Sequence, residues 1–278
     1  MTTLTLCADD YGLNEAVSTA ILELAGAGRL SAISCMSASR HWRVHAPWLL
    51  PLQGRVDIGL HLTLTELAPL GNMPRVAPED RLPALDRVLR DGLLRRLPRA
   101  EIAAELRRQM VAFVEHFGIA PDFIDGHQHV HLLPGVREAV FELWQEFVAP
   151  RRGWLRSCHE PLPAILTRGV EPLKATIISR LSAPLTKGAR VRGIVTNDSF
   201  RGVHDFSGRR SPEVLFPAFF QGAGERPLVM CHPGRSTRGG SDEIAHWRPR
   251  EFAYFSSDRF LEELDLADVT LGPLPRDD

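Results

Sequence analysis

The chain has 278 residues, with 33 Lys and Arg against 34 Asp and Glu and a formal net charge of −1. That balance provides no basic footprint for nucleic acid or for an anionic membrane surface, and it points to a small-molecule partner. Although hydrophobic residues make up 44% of the chain, no stretch approaches the about 20 consecutive apolar residues of a membrane span.

Met1-Thr2-Thr3 runs straight into a predicted strand, Leu4-Thr5-Leu6-Cys7-Ala8, with no charged n-region and no cleavage site, so a cytoplasmic location is expected. Cys7, Cys35, Cys158 and Cys231 form no CxxC pair, which argues against a structural zinc site or a disulfide framework and agrees with a reducing compartment. The strand runs into two adjacent carboxylates, Asp9 and Asp10, followed by Tyr11 and Gly12. Side by side at the end of an apolar strand, two anions repel each other and resist desolvation unless a cation or a proton compensates them.

Next, Asn14 can cap a helix whose apolar positions Val17, Ala20, Ile21 and Leu24 follow helical spacing, with Gly28 just past its end. Residues 32–36 and 56–60 read as strands, the second leading into His61, while 66–98 is rich in Pro, Gly and charge and reads as an irregular excursion over one mouth of the fold. A helix over 99–117 follows from the stripe Ile102, Leu106, Met110, Phe113 and Phe117, and Gly118 and Pro121 stop it. Phe123-Ile124 opens a strand that carries Asp125-Gly126-His127-Gln128-His129-Val130-His131, and Pro134 opens a helix through Phe147. Further apolar runs end at Arg156, at Asn197-Asp198 and at His232-Pro233-Gly234.

Strands that alternate with helices imply a parallel sheet, and polar residues at so many strand ends imply a closed or nearly closed α/β barrel, TIM-like, of about seven or eight units. No linker is evident, so one domain over 1–278 is expected, with 66–98 as its excursion.

In extended chain, Asp125, His127, His129 and His131 would share one face, so that one could bind metal while others orient or cap it. His61 could equally be a satisfied core histidine; its company raises it. One aspartate and two histidines from separate strands make an open site for a hydrolytic metal, with positions left for water and substrate. Several other features carry less. Arg95-Arg96 and Arg107-Arg108 read as a solvated basic helix face, and residues 234–240 lack the context of a phosphate loop and read as a loop after His232.

Four motifs in order, Ala8-Asp9-Asp10-Tyr11-Gly12, Gly59-Leu60-His61-Leu62-Thr63, Asp125-Gly126-His127-Gln128-His129-Val130-His131 and Met230-Cys231-His232-Pro233-Gly234, resemble the YdjC-like carbohydrate deacetylases, the group that includes chitooligosaccharide deacetylase and the hopanoid-associated deacetylases. The resemblance implies a deformed (β/α) barrel similar to polysaccharide deacetylases. It implies Asp10, His61 and His127 as ligands of one divalent ion, Mg²⁺ or Zn²⁺, with Asp9 as general base and His232 as general acid. It further implies that Arg156 orients Asp9 or contacts substrate; beside it, Asn197-Asp198 and Tyr11 are further candidates for substrate contact, and Asp125, His129 and His131 for orienting or capping the ligands. A backbone N–H of Tyr11 or Gly12 would meet the oxyanion. Family members often have Phe where this chain has Tyr11, and Ser where it has Gly126; neither change removes a ligand.

The expected reaction is removal of an acetyl group from an N-acetylated sugar, oligosaccharide or glycoconjugate, releasing acetate and a free amine, with specificity in 66–98 and 161–192. A homodimer is left open. The rivals are another metal-dependent barrel enzyme, a sugar isomerase or phosphoesterase, and a non-catalytic sugar-binding barrel.

Overall fold

A computed structural model describes residues 2–222, 224–237 and 242–276. Among the described residues the strands are β1 (Thr2–Tyr11), β2 (Ala32–Cys35), β3 (Asp57–Leu62), β4 (Phe123–Gly126), β5 (Trp154–Leu155), β6 (Ser199–Arg201), β7 (Pro227–Cys231) and β8 (Val269–Leu271). Every pairing is parallel, in the order β5-β4-β3-β2-β1-β7-β6, with β8 paired to the start of β1. The open ends of that order meet: Leu155 on β5 bridges to Thr196, just before β6, and Leu155 N–H donates to Val195 O at 3.0 Å. The sheet therefore curls into a ring of seven strands, which resolves the expected seven or eight. The eighth strand attaches to the outer end of β1.

Buried parallel strands have to be apolar on both faces, and β1 obeys this, with Leu4, Leu6, Cys7 and Ala8 all fully buried. The helix Glu15–Gly26 begins as its sequence predicts, Asn14 Oδ1 accepting from Val17 N–H at 2.9 Å. The helix Arg99–Phe117 buries the expected stripe and stops at Gly118, which takes the left-handed conformation with φ of 92°. The same helix also buries Gln109, which the apolar stripe did not single out. Gln109 binds both backbone groups of Thr63, accepting at 2.9 Å and donating at 2.7 Å, and so fixes the chain directly after His61.

Several elements differ from expectation. Within 66–98 the chain forms a helix, Leu85–Leu93, that buries Val88 and Gly92; its short apolar stripe is masked by the Pro and Gly around it. The strand expected to run through 125–131 stops at Gly126, and His127–Leu132 coils instead, with Gln128 and His129 in left-handed conformations. Asp125, His127, His129 and His131 therefore do not share one face. The helix expected from Pro134 to Phe147 is α-helical over Arg137–Leu143 and widens into a π turn over Trp144–Val148. Residues 238–240 of the glycine-rich loop lie outside the described residues.

At the base of the ring, Phe123 and Trp154 stack with centroids 4.0 Å apart, and Trp154 Nε1 donates to Asp57 Oδ2 at 2.8 Å. Gly59 on β3 makes room for this stack, since a Cβ there would lie 2.4 Å from three atoms of the Phe123 ring. Gly59→Ala is expected to destabilise the fold by about 1–3 kcal/mol through overpacking. Urea unfolding checks this; an unchanged midpoint would show that the ring yields freely.

Candidate active site

Adjacent residues of a regular strand point to opposite faces, so Asp9 and Asp10 cannot both enter one mouth without a defect in β1. The defect is present. Ala8 pairs with Ile33 and Tyr11 with Cys35, three steps along β1 against two along β2, and Asp10 adopts φ of 70°. This is a bulge with an aspartate in the left-handed region, a conformation that Asp tolerates better than most residues but that still carries strain. After it Tyr11 turns to the back of the sheet.

Asp10 Oδ1 faces two imidazole nitrogens from separate strand ends, His127 Nδ1 at 2.8 Å and His61 Nε2 at 3.4 Å. The ligand atoms of these three residues lie within 4.8 Å of one another, so one carboxylate oxygen and two imidazoles could hold a divalent ion. His61 is oriented for this role from behind. Its Nδ1 lies 2.6 Å from Asp125 Oδ1, an oxygen that also accepts from Ser34 Oγ on β2, and this leaves Nε2 toward Asp10. Burial alone would raise the pKa of Asp10, but His127 and Arg248 overcome it and hold the carboxyl well below its usual range. Burial disfavours the charged form of His61, yet Asp125 and Asp9 push it up to about 10. The cluster is thus built around positive charge.

Asp9 has a different partner. Arg156, which follows β5 and is fully buried, grips it with both ends of its fork, Nη1 to Oδ2 and Nη2 to Oδ1 at 2.7 Å each. The same Nη2 lies 2.7 Å from Asp125 Oδ2 and 2.9 Å from Cys7 Sγ. Cys7, Asp9 and Asp125 also cluster closely enough for a metal, but the guanidinium already occupies the centre of that group. Arg156 orients Asp9 from beneath and is not among the residues lining the cleft, so the structure does not place it for substrate contact. His131 Nε2 meets Arg156 O at 3.2 Å, and burial together with Arg156 pushes its pKa down to about 3, which keeps it a neutral donor. His129 lines the cleft, packs edge-on against Phe200, and is held well below its usual pKa, first by burial.

His232 follows β7 and brings Nε2 to 4.0 Å from Asp9 Oδ2, with its ring edge-on to Phe206. Its backbone N–H donates to the fully buried Glu251, whose other oxygen accepts from Trp247 Nε1 at 2.6 Å. Burial lowers the pKa of His232 against the pull of Asp10 and Asp9. Arg248 donates to Asp10 Oδ2 at 2.8 Å. Nothing in the sequence singled out Ser34, Arg248 or Glu251. Ser34 was visible only as one polar residue in an apolar strand, and Arg248 and Glu251 resemble ordinary helix-surface charges.

Asp9, Asp10, His61, His127, His129 and His232 all line one cleft of about 1490 Å³. Both segments expected to shape specificity also line it, 66–98 through Leu67, Leu70, Leu85 and Leu89, and 161–192 through Leu173, Lys174, Ile177 and Leu181. Two expected substrate contacts do not. Tyr11 is fully buried, its hydroxyl donating to His45 O at 2.7 Å, because the bulge turns it away from the mouth. Asp198 is spent on the backbone N–H groups of Glu225 and Arg226, at 2.6 and 3.0 Å, and braces the turn before β7. Its neighbour Asn197 likewise binds the backbone of Ser157.

A parallel seven-stranded barrel with a carboxylate and imidazole cluster at the carboxyl ends of its strands defines the class of protein. The chain belongs to the YdjC-like protein family, whose model matches residues 3–265. It is 28% identical over 240 residues to a chitooligosaccharide deacetylase of Proteus mirabilis, and 33% identical over 231 residues to one of Enterobacter; each alignment covers 81% of this chain and 79% of the relative. A solved structure from Enterococcus faecalis V583, of a protein proposed to act in cellobiose-phosphate cleavage, shares the fold with a TM-score of 0.68 at 18% identity, covering 98% of this chain and 97% of its own.

Arg156 is shared by two buried carboxylates, Asp9 and Asp125, and removing one partner of a buried ion pair strands the other. Arg156→Met is expected to cost about 3–5 kcal/mol of stability. Chemical denaturation checks it, and a loss below 1 kcal/mol, about the value of an exposed pair, would show that Asp9 and Asp125 do not depend on it.

Proposed function

We propose that the protein is a metal-dependent hydrolase that removes the N-acetyl group from an amino sugar or glycoconjugate, releasing acetate and a free amine. The observation that carries this reading is the unequal treatment of adjacent carboxylates: Asp10 faces two imidazoles, whereas Asp9 is held by Arg156 beside them. The curated relatives named as deacetylases support it.

Asp10, His61 and His127 would hold the ion, and their mixed oxygen and nitrogen donors suit Zn²⁺ or Mg²⁺. When bound, the ion supplies Lewis acidity toward a carbonyl and lowers the pKa of water from 15.7 to about 7. Asp9, its carboxylate fixed by the guanidinium, takes the proton of the attacking water. With its pKa lowered by burial, His232 rests neutral and must receive a proton before giving one to the departing amine. Asp9 Oδ2, 4.0 Å away, can supply that proton through a small shift or one water. Among the described residues the second ligand-type cluster is filled by Arg156, which favours one ion over the paired ions of a phosphoesterase.

The walls of the cleft bear on the substrate. Leu173 and Ile177 line it while 75% and 58% exposed, spaced one helical turn apart on the helix Pro172–Val191, and Leu67, Leu70 and Leu89 also contribute. Phe206 is the one Phe, Tyr or Trp among the described lining residues, so a chain of sugar rings would find little aromatic surface to stack on. An acetamido sugar carrying an apolar substituent fits this lining better than a long oligosaccharide. A cytoplasmic setting is part of this reading, on the ground that the four cysteines of the sequence are scattered and form no CxxC pair.

Asp9→Asn should retain the metal and lower turnover by about 10²–10⁴, while His127→Ala should lose both; metal content and acetate release after chelation and reloading check this. Equal metal loss in both variants, or full activity in EDTA, would overturn the assignment. Ile177→Ser should raise KM for an alkyl glycoside of N-acetylglucosamine about tenfold, as loss of one apolar contact of about 1.4 kcal/mol implies, and leave KM for N,N′-diacetylchitobiose unchanged. Equal changes for the two substrates would remove the wall from specificity.

A further inference from the structure

Arg248 begins the helix Arg248–Ser256 and is 2% exposed. Its guanidinium joins two carboxylates. Nη2 donates to Asp10 Oδ2 at 2.8 Å, while Nε and Nη2 hold Asp242 at 2.6 and 3.1 Å. Nη1 is buried without a hydrogen-bond partner. Of the two Asp10 oxygens, Oδ2 is therefore occupied, and Oδ1 is the one that faces His61 and His127.

We propose that Arg248 is a positioning residue that confines Asp10 to one-oxygen coordination, with Asp242 fixing the angle of the guanidinium. The inference rests on the reading of Asp10, His61 and His127 as ligands. A carboxylate free at both oxygens can chelate a divalent ion with both. Doing so would fill a coordination position needed by water or substrate and weaken the ion as a Lewis acid. A charge-assisted bond to Oδ2 in a buried setting opposes this. The backbone adds to the constraint, because Asp10 sits in the bulge with φ of 70° and the aim of its side chain is preset.

Arg248 is also tied to the turn that carries His232. Gly234 N–H donates to Arg248 O at 3.2 Å, and a Cβ on Gly234 would lie 3.0 Å from Arg248 Cδ. The residue that orients the ligand carboxylate thus packs directly against the turn after His232, linking the two sides of the site.

The test uses Co²⁺ as the probe in the full chain, comparing wild type with Arg248→Gln, Arg248→Lys and Asp242→Asn. Visible d–d bands of Co²⁺ weaken as its coordination number rises. Arg248→Gln should bind Co²⁺ at least as tightly as wild type, because a positive charge beside the ligand has gone, but with weakened bands. Its kcat should fall by about 10–100-fold, the usual effect of losing the partner of a ligand, with KM within about twofold. Asp242→Asn should move bands and kcat in the same direction to a smaller extent. Lys keeps the charge but not the planar fork, so Arg248→Lys should resemble Gln. Wild-type bands and kcat in Arg248→Gln, or full recovery in Arg248→Lys, would overturn the proposal. So would lost Co²⁺ binding with a lowered unfolding midpoint in both Arg248→Gln and Asp242→Asn, which would mark a merely structural role. Failure of the wild type to bind Co²⁺ would instead strike the metal reading itself, and the proposal with it.

Discussion

Two carboxylates adjacent in sequence are buried at one strand end, and each is matched with its own guanidinium. Asp9 is 2% exposed and Asp10 1%, and burying either carboxylate without a partner would be costly. Arg156 reaches Asp9 from β5, and Arg248 reaches Asp10 from a helix more than two hundred residues further along the chain. The separation of partners turns one electrostatic problem into two differently tuned groups. Asp9 is locked in a fork with Asp125 and Cys7 behind it, while Asp10 keeps one oxygen toward a pair of imidazoles.

The bulge in β1 makes this arrangement geometrically available. Without the extra residue the pleat would send one aspartate into the barrel mouth and the other into the helical layer. With it, both side chains reach the cleft and the strain at Asp10 is carried by surrounding hydrogen bonds, which is the usual setting for an unfavourable backbone conformation at a functional site. The parallel ring then brings His61, His127 and His232 to the same end, since every strand ends its run on that side. Ser34, Asp125 and Gln109 aim the strand ends without lining the cleft themselves.

Much of this was legible in the sequence. The alternation of strands and helices, the caps at Asn14 and Gly118, and the residues at strand ends are local patterns, written by burial and backbone preference within a few residues. The histidine run misled because extended chain was assumed through it. Its left-handed turns at Gln128 and His129 bring His131 close to Gly126 and to the carbonyl of Arg156, contacts that neighbouring residues in sequence do not report. Tyr11 misled because the bulge reverses the way its side chain turns, and Asp198 because it precedes β6 and so lies at the amino end of that strand instead of the carboxyl end of an earlier one.

The sequence by itself determined the class of barrel, its repeating order and the donor types available at its mouth, because hydrophobic periodicity and residue chemistry are properties of short segments. Only the tertiary structure decided that the two aspartates share one cleft, that Arg156 serves Asp9 and Arg248 serves Asp10, and that aliphatic side chains from two distant segments wall the site. Ion pairs and walls of this kind join residues far apart in the chain, and their geometry exists only once the ring has closed.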